Sequence, residues 1–342
     1  VIPKLRSLLP NVKRPNSMEK TLLTIIILYA MTVSVVNKHF FTLGTLADLT
    51  RNGATMAILA AGVYVIMIAG GIDVSFPAVA IMSGYTSVVF AVNAKINSIL
   101  VILIIAAVIG AILGAINALL IHWLELPTFI VTLGTSSIFY GLMTTTVGTK
   151  PVTISKMPSS LLEFGRCNIV SFTVNGQQNG ISIFFLISIF VYIFVWFIMN
   201  HTSLGHSIYA IGNSEEFARR AGLPVLGIKL FIYPLMGVLA AIMAIISFAN
   251  LKFVDPTSIM GTELTVIAAV VIGGTRITGG YGTLFGTFLG VALTQLLNNT
   301  LVFLGLKSSW NNLFIGGVMI AAVVAIYYGE KLRNRKNMSF LG

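Results

Sequence analysis

Four charged residues crowd into "NSEEFARRAG", residues 213–222: Glu215, Glu216, Arg219 and Arg220. Only 9% of the chain is charged, and long apolar runs lie on both sides. Each acid precedes a base by four residues, the order that suits the helix dipole. Asn213 can cap the helix, Glu216 follows at capping-box spacing, and Gly222 and Pro224 form a stop. The expected helix covers 214–221 and is roughly 12 Å long. Phe217 and Ala221, four apart, make a small apolar knob on one side, with Ser214 and Ala218 completing the helix. Three roles compete for it: a solvated loop helix, a helix lying on lipid headgroups, and a helix docked in a groove of another protein. Two acids and little apolar area argue against the headgroups.

A second chemical feature is Asp73 in "GGIDVSFP". Gly70 and Gly71 loosen the chain before it and Pro77 resets the backbone after it. An ionisable residue at such a break between apolar segments is a candidate for function. The competing reading is a carboxylate capping the next helix. Neutral polar residues also fall within apolar runs: Asn52, Asn117, Thr132, Thr135, Gln295, Asn298 and Asn299, with Phe129 as an aromatic surface. Amides and hydroxyls give the weak, neutral hydrogen bonds that an uncharged polar solute in transit needs, and each can equally be an interhelical bond. His39, His122, His201 and His206 have no acidic partners at ligand spacing, so no metal site is expected, and no catalytic constellation of His, Asp and Glu occurs. The single cysteine, Cys167, permits no internal disulfide.

The elements that hold these residues are apolar and long. The chain has 342 residues, 56% of them hydrophobic, and a mean hydropathy of +0.95. A bilayer core needs about 20 apolar residues per helix. Ten such spans are expected, at 21–37, 53–71, 75–93, 98–122, 128–147, 181–199, 228–249, 264–275, 285–305 and 310–328. The fold class is an all-α polytopic membrane protein. Basic tails at 1–20 and 329–342 flank a transmembrane domain at 21–328, whose charged loop covers 200–227. The longest polar segment between spans, 148–180, reads as a turn-rich loop. With both ends inside, thirteen Lys and Arg fall on the cytoplasmic side and eight outside. That puts "NSEEFARRAG" in the cytoplasm and 148–180 outside. The net charge of +11 is membrane anchoring, since no soluble domain offers a basic face to nucleic acid. Gly110 and Gly114, and the ladder Gly282, Gly286 and Gly290, are spaced for close helix packing.

No G-x-x-x-x-G-K-[ST] occurs, so the chain has no P-loop for ATP. At this point the sequence shows a resemblance. "HTSLGHSIYAIGNSEEFARRAGLPVLGIKLFIYPLMGVLAAIMAII" looks like the cytoplasmic loop and following span of the ribose-type permeases of ABC importers. "TELTVIAAVVIGGTRITGGYGTLFGTFLG", "NNTLVFLGLKSSWNNLFIGGVMIAAV", "MIAGGIDVSFPAVAIMSG" and "LPTFIVTLGTSSIFYGL" resemble further segments of that family, in order, over about 50–328. The family's "DLSVG" is "DVSFP" here, with Phe76 and Pro77.

The resemblance implies that 213–222 is the helix contacting an ATPase subunit. It also implies a second permease subunit, identical or paralogous, and a substrate-binding protein. ATP and Mg would sit on the ATPase, and this chain would bind no cofactor. The expected location is the bacterial inner membrane, in contact with lipid. The expected cargo is a sugar or sugar-like neutral molecule, with nucleosides and autoinducer-2 as alternatives in the same family. An ion-coupled secondary transporter is a rival, but its candidate carboxylates, Asp73 and Glu263, lie in different segments.

Overall fold

The computed structural model describes residues 17–36, 40–174, 177–300 and the isolated positions 310, 313, 316, 317, 320 and 324. The first helices follow the apolar runs: α1 (Ser17–Val36), α2 (Leu43–Ile68), α3 (Phe76–Asn93), α4 (Ile99–Leu124) and α5 (Thr128–Thr146). After the short α6 (Ser159–Arg166) come two strands, β1 (Asn168–Val174) and β2 (Gln177–Ser182). Then follow α7 (Ile183–His201), α8 (Ser203–Asn213), α9 (Glu215–Arg220), α10 (Val225–Leu251), α11 (Glu263–Ile272) and α12 (Leu284–Thr300). The first nine expected spans each lie on one of these helices, while the tenth, 310–328, and both outer tails fall largely outside the described residues. Among the described residues, six helices are long and apolar enough to cross a membrane: α1, α2, α3, α4, α7 and α10. The ten residues of α11 extend only about 15 Å, half a hydrocarbon core.

Among the described residues, the structure departs from an all-helical reading chiefly in one segment. Segment 148–180, expected as a loop, contains α6 and an antiparallel hairpin, β1 against β2, with Phe172 opposite Asn179. "NIVSFTV" carries β-branched and aromatic residues at the spacing a strand uses.

The core forms around α10, which packs on α4, α3 and α2. Backbone meets backbone there. A Cβ on Gly110 would lie 2.2 Å from the Gly237 carbonyl oxygen, and one on Gly114 would lie 2.2 Å from that of Tyr233. The second glycine ladder works in the same way, with Gly286 and Gly290 against the carbonyls of Gly273 and Ala269 in and after α11. The glycine spacings are therefore packing devices, as the sequence indicated.

The connections alternate between two ends of the bundle. At one end, Asn97 Nδ2 donates to Ser159 Oγ at 2.7 Å, Val152 pairs with Val254, and Arg51 donates to Gly165 O and Asn168 Oδ1. At the other end, segments 69–75, 125–127, 202–224 and 273–283 converge. Gly280 N donates to Ile68 O at 2.9 Å, and Ile72 N donates to Thr128 Oγ1 at 2.8 Å.

Candidate functional site

The charged helix stands at that second end, as the last of a chain of short helices. Thr202 Oγ1 accepts from Gly205 N and starts α8. Asn213 is the final residue of α8, and its Nδ2 donates back to Tyr209 O. The expected Asn213 cap is thus corrected: the cap is Ser214, extended in backbone, whose Oγ accepts from Phe217 N at 3.3 Å. The capping box fails because α8, not recognised in the sequence, carries Asn213 inside its own last turn. The stop is as expected, with Gly222 at φ +79 and Leu223 N donating to Ala218 O. Phe217 is 70% exposed, Ala221 is exposed beside it, and Ala218 is buried against the bundle.

Both i,i+4 pairs form: Arg219 with Glu215 at 3.1 Å and Arg220 with Glu216 at 2.5 Å. Two further contacts come from other elements. Lys229 Nζ of α10 lies 3.0 Å from Glu215 Oε1, and Arg219 reaches Glu125, at the end of α4, at 3.5 Å. Burial raises the Glu215 carboxyl, but the Lys229 ammonium and then the Arg219 guanidinium hold it below the usual carboxylate range. A cleft of about 690 Å³ opens between α9 and the α4–α5 turn, with Phe129, Glu215, Lys229 and Ile277 on its walls. The end of α8 presses onto the end of α2 with no side chain between them. A Cβ on Gly212 would lie 1.7 Å from Ile68 O, and one on Gly279 2.6 Å from the Gly70 Cα.

Asp73 sits just above this junction, 4% exposed. Its Oδ1 accepts from Ser75 N at 2.7 Å and from Ser75 Oγ at 2.6 Å. Asn117 Nδ2 of α4 donates to the same Ser75 Oγ at 2.7 Å. Thr132 Oγ1 of α5 accepts from Val74 N, and Thr135 Oγ1 donates to Thr132 O. Asp73 is therefore not the cap of α3. Ser75 holds that boundary without a side-chain cap bond, Pro77 fills the first turn, and Asp73 fixes Ser75 from two residues upstream.

The remaining polar residues lie elsewhere. Gln295 and Asn298 line a second cleft, of about 390 Å³, with Thr55, Ser247 and Thr262. Among the described residues, none on its wall is charged. Asn52 Oδ1 accepts from Asn250 Nδ2 beside it, and Asn299 Nδ2 donates to Gln295 O. The nine residues expected along a path thus split. Asp73, Asn117, Thr132 and Thr135 form a buried knot, Phe129 faces the charged cleft, Gln295 and Asn298 line the neutral cleft, and Asn52 and Asn299 bond to residues that line it. Sequence reasoning missed Thr55, Ser247 and Thr262 at that cleft, and Lys229 and Glu125 at the charged one. Thr55 sits one helical turn from Asn52, a usable signal. Lys229 was visible as a cation in the opening turns of an apolar helix.

Against known proteins, the family described as branched-chain amino acid transport system / permease component matches residues 45–323. The chain is 31% identical to the ribose import permease protein RbsC of Escherichia coli K12, over 90% of this chain and 92% of that one. It is 34% identical to the RbsC of Bacillus subtilis, over 85% and 87%. It is 29% identical to the autoinducer 2 import system permease protein LsrC of Yersinia pseudotuberculosis, over 90% and 84%. No solved structure matches.

Proposed function

The chain belongs to the branched-chain amino acid transport system / permease component family, and on that premise we propose that it is the membrane-spanning permease subunit of an ATP-driven ABC importer for a sugar or sugar-like neutral molecule. The observation that carries the cargo class is the neutral cleft. Its polar groups are hydroxyls and amides from Thr55, Ser247, Thr262, Gln295 and Asn298, with no charge among the described residues of the wall. An amino acid would bring an ammonium and a carboxylate into a site with no counter-charge, a costly burial. A sugar brings hydroxyls, which those groups can pair one by one. Ribose and autoinducer-2, named in the relatives, are both of the favoured kind.

The chain spans the bacterial inner membrane about ten times with both ends in the cytoplasm, and α9 is the contact with a separate ATPase that binds ATP and Mg. The alternation of connections between two ends supports this topology. So does the placement of α9, with Phe217 outward, at the end opposite the hairpin. A second permease subunit and a substrate-binding protein complete the importer, and lipid surrounds it. Secondary transport finds little support. Asp73 is tied up by Ser75 near α9, whereas Glu263 begins α11 after the segment at the opposite end.

The test is reconstitution. In liposomes with the ATPase and binding protein, ATP should drive uptake of one or more of D-ribose, other pentoses, hexoses, nucleosides and autoinducer-2. The permease alone should accumulate none of them under a proton or sodium gradient. Accumulation on an ion gradient without the ATPase would refute the importer reading.

A further inference from the structure

Lys229 is 9% exposed and lies five residues into α10. Desolvating an ammonium is costly unless a counter-charge is held against it. Glu215 supplies that charge from α9, fourteen residues earlier in the chain and on a different element. Exposed ion pairs on short helices contribute little and exchange freely with water. The Lys229 pair differs, because parting it leaves a buried cation alone. Where Glu215 goes, Lys229 is bound to follow.

The face of α10 that carries Lys229 carries Tyr233 one turn later. Tyr233 is buried, and its hydroxyl lies against the 69–75 break, 2.9 Å from where a Cβ on Gly71 would stand. Its backbone carbonyl abuts Gly114 of α4. The next residue, Pro234, removes one N–H from the helical ladder. The opening turns of α10, 225–233, are therefore joined to the rest of the helix by one backbone hydrogen bond fewer. They are held by Glu215 below, and above by the seat of Tyr233 against the 69–75 break and Gly114.

We propose that Lys229 is a positioning residue that transmits displacement of α9 to the Asp73 break, through the opening turns of α10 and Tyr233. This rests on the importer reading above. An ATPase that shifts α9 would drag the start of α10, and Tyr233 would press on the break that joins α2 to α3. Without the ammonium, α9 moves alone.

The experiment uses the full importer in proteoliposomes, with D-ribose or whichever sugar of the panel above the wild type takes up. Lys229→Met keeps the stem and removes the charge, Lys229→Arg keeps the charge, and Glu215→Gln removes the partner's charge from the outer helix. Three quantities are read: ATPase co-purified, ATP hydrolysed and sugar taken up. Lys229→Met should retain the ATPase and its hydrolysis, while ATP spent per sugar rises about tenfold, a usual size for coupling between sites, and Glu215→Gln should raise the cost per sugar in the importer that still assembles. Lys229→Arg should stay near wild type. If Lys229→Met fails to assemble, Lys229→Gln, which keeps a polar head without the charge, decides in its place. Wild-type ATP cost in the assembled charge-removing variants overturns the inference. Parallel loss of ATPase binding and uptake also overturns it, by making the pair part of the docking surface. A wild type that takes up no sugar with ATP overturns the importer reading itself, which a working wild type beside fully coupled variants does not.

Discussion

The Asp73 carboxylate accepts two hydrogen bonds from one serine in a place that excludes water. An asparagine there keeps an acceptor oxygen in nearly the same position, whereas an alanine leaves the Ser75 N–H and hydroxyl without their acceptor. An orphaned buried donor costs about 1–3 kcal/mol. Asp73→Asn should assemble and transport at close to the wild-type level. Asp73→Ala should lower the thermal midpoint of the detergent-solubilised protein, measured by fluorescence-detected size exclusion, and should also lower uptake. Equal midpoints for the two variants would show that the bonds to Ser75 are dispensable. The sequence identified Asp73 by its glycine-flanked position but could not show its partner. Capping is the default for an acid ahead of a helix, and a bond to the residue two ahead needs a backbone turn that composition does not specify. The neutral residues show the same limit. Asn52 and Asn117 look alike in an apolar run, and only packing separates one beside an open cleft from one locked behind Ser75.

At the scale of single elements, α9 is mostly local in origin. Its two i,i+4 pairs and its glycine stop depend on spacing alone, and they form as the sequence indicated. Its tie to Lys229 joins residues fourteen apart, and the position of its cap depended on α8, so neither was legible. The exposed face makes a prediction. Burying an aromatic side chain is worth roughly 2–3 kcal/mol, and an exposed ion pair under about 1 kcal/mol. Phe217→Ala should therefore reduce ATPase co-purification far more than Glu216→Gln, whose pair with Arg220 is exposed; equal retention would mean that the knob contacts nothing. A pH effect follows from Glu215. Its folded carboxyl is held below its unfolded value, so the attachment of α9 to α10 is complete above the ordinary carboxylate range. It is lost as pH falls through the lowered value. Protection of 215–220 against hydrogen exchange, corrected for the intrinsic rate at each pH, should persist at neutral pH and fall only in acid below that range. For the core, Gly237→Ala would place a Cβ 1.9 Å from Gly110 O, whereas Gly134 has open space around it. Gly237→Ala should fail to accumulate in the membrane and Gly134→Ala should accumulate normally, as judged by immunoblot of membranes.

Across the whole molecule, nine of the expected spans coincide with helices, and six helices among the described residues are long and apolar enough to cross a membrane, because apolar length is the chief demand that a bilayer makes on a helix. The hairpin and α6 were not legible, since polar segments outside the bilayer obey looser rules. Orientation is open to a direct check. Cys167 is exposed beside the hairpin and is the chain's single cysteine. An impermeant maleimide should label it in intact spheroplasts. With Cys167 replaced by Ser, a cysteine at 216 should be labelled only after the membrane is opened. The reverse pattern would turn the molecule over.

The uncharged wall of the second cleft has a consequence for energetics across the membrane. Each elementary charge moved across a membrane potential gains or loses about 2.3 kcal/mol per 100 mV. A neutral cargo passing groups that are themselves neutral moves no charge, so its transfer is electrically silent. The voltage that powers so much of bacterial uptake would then neither help nor hinder this permease. It could fill the cell as readily in a depolarised membrane as in an energised one, as long as ATP lasts.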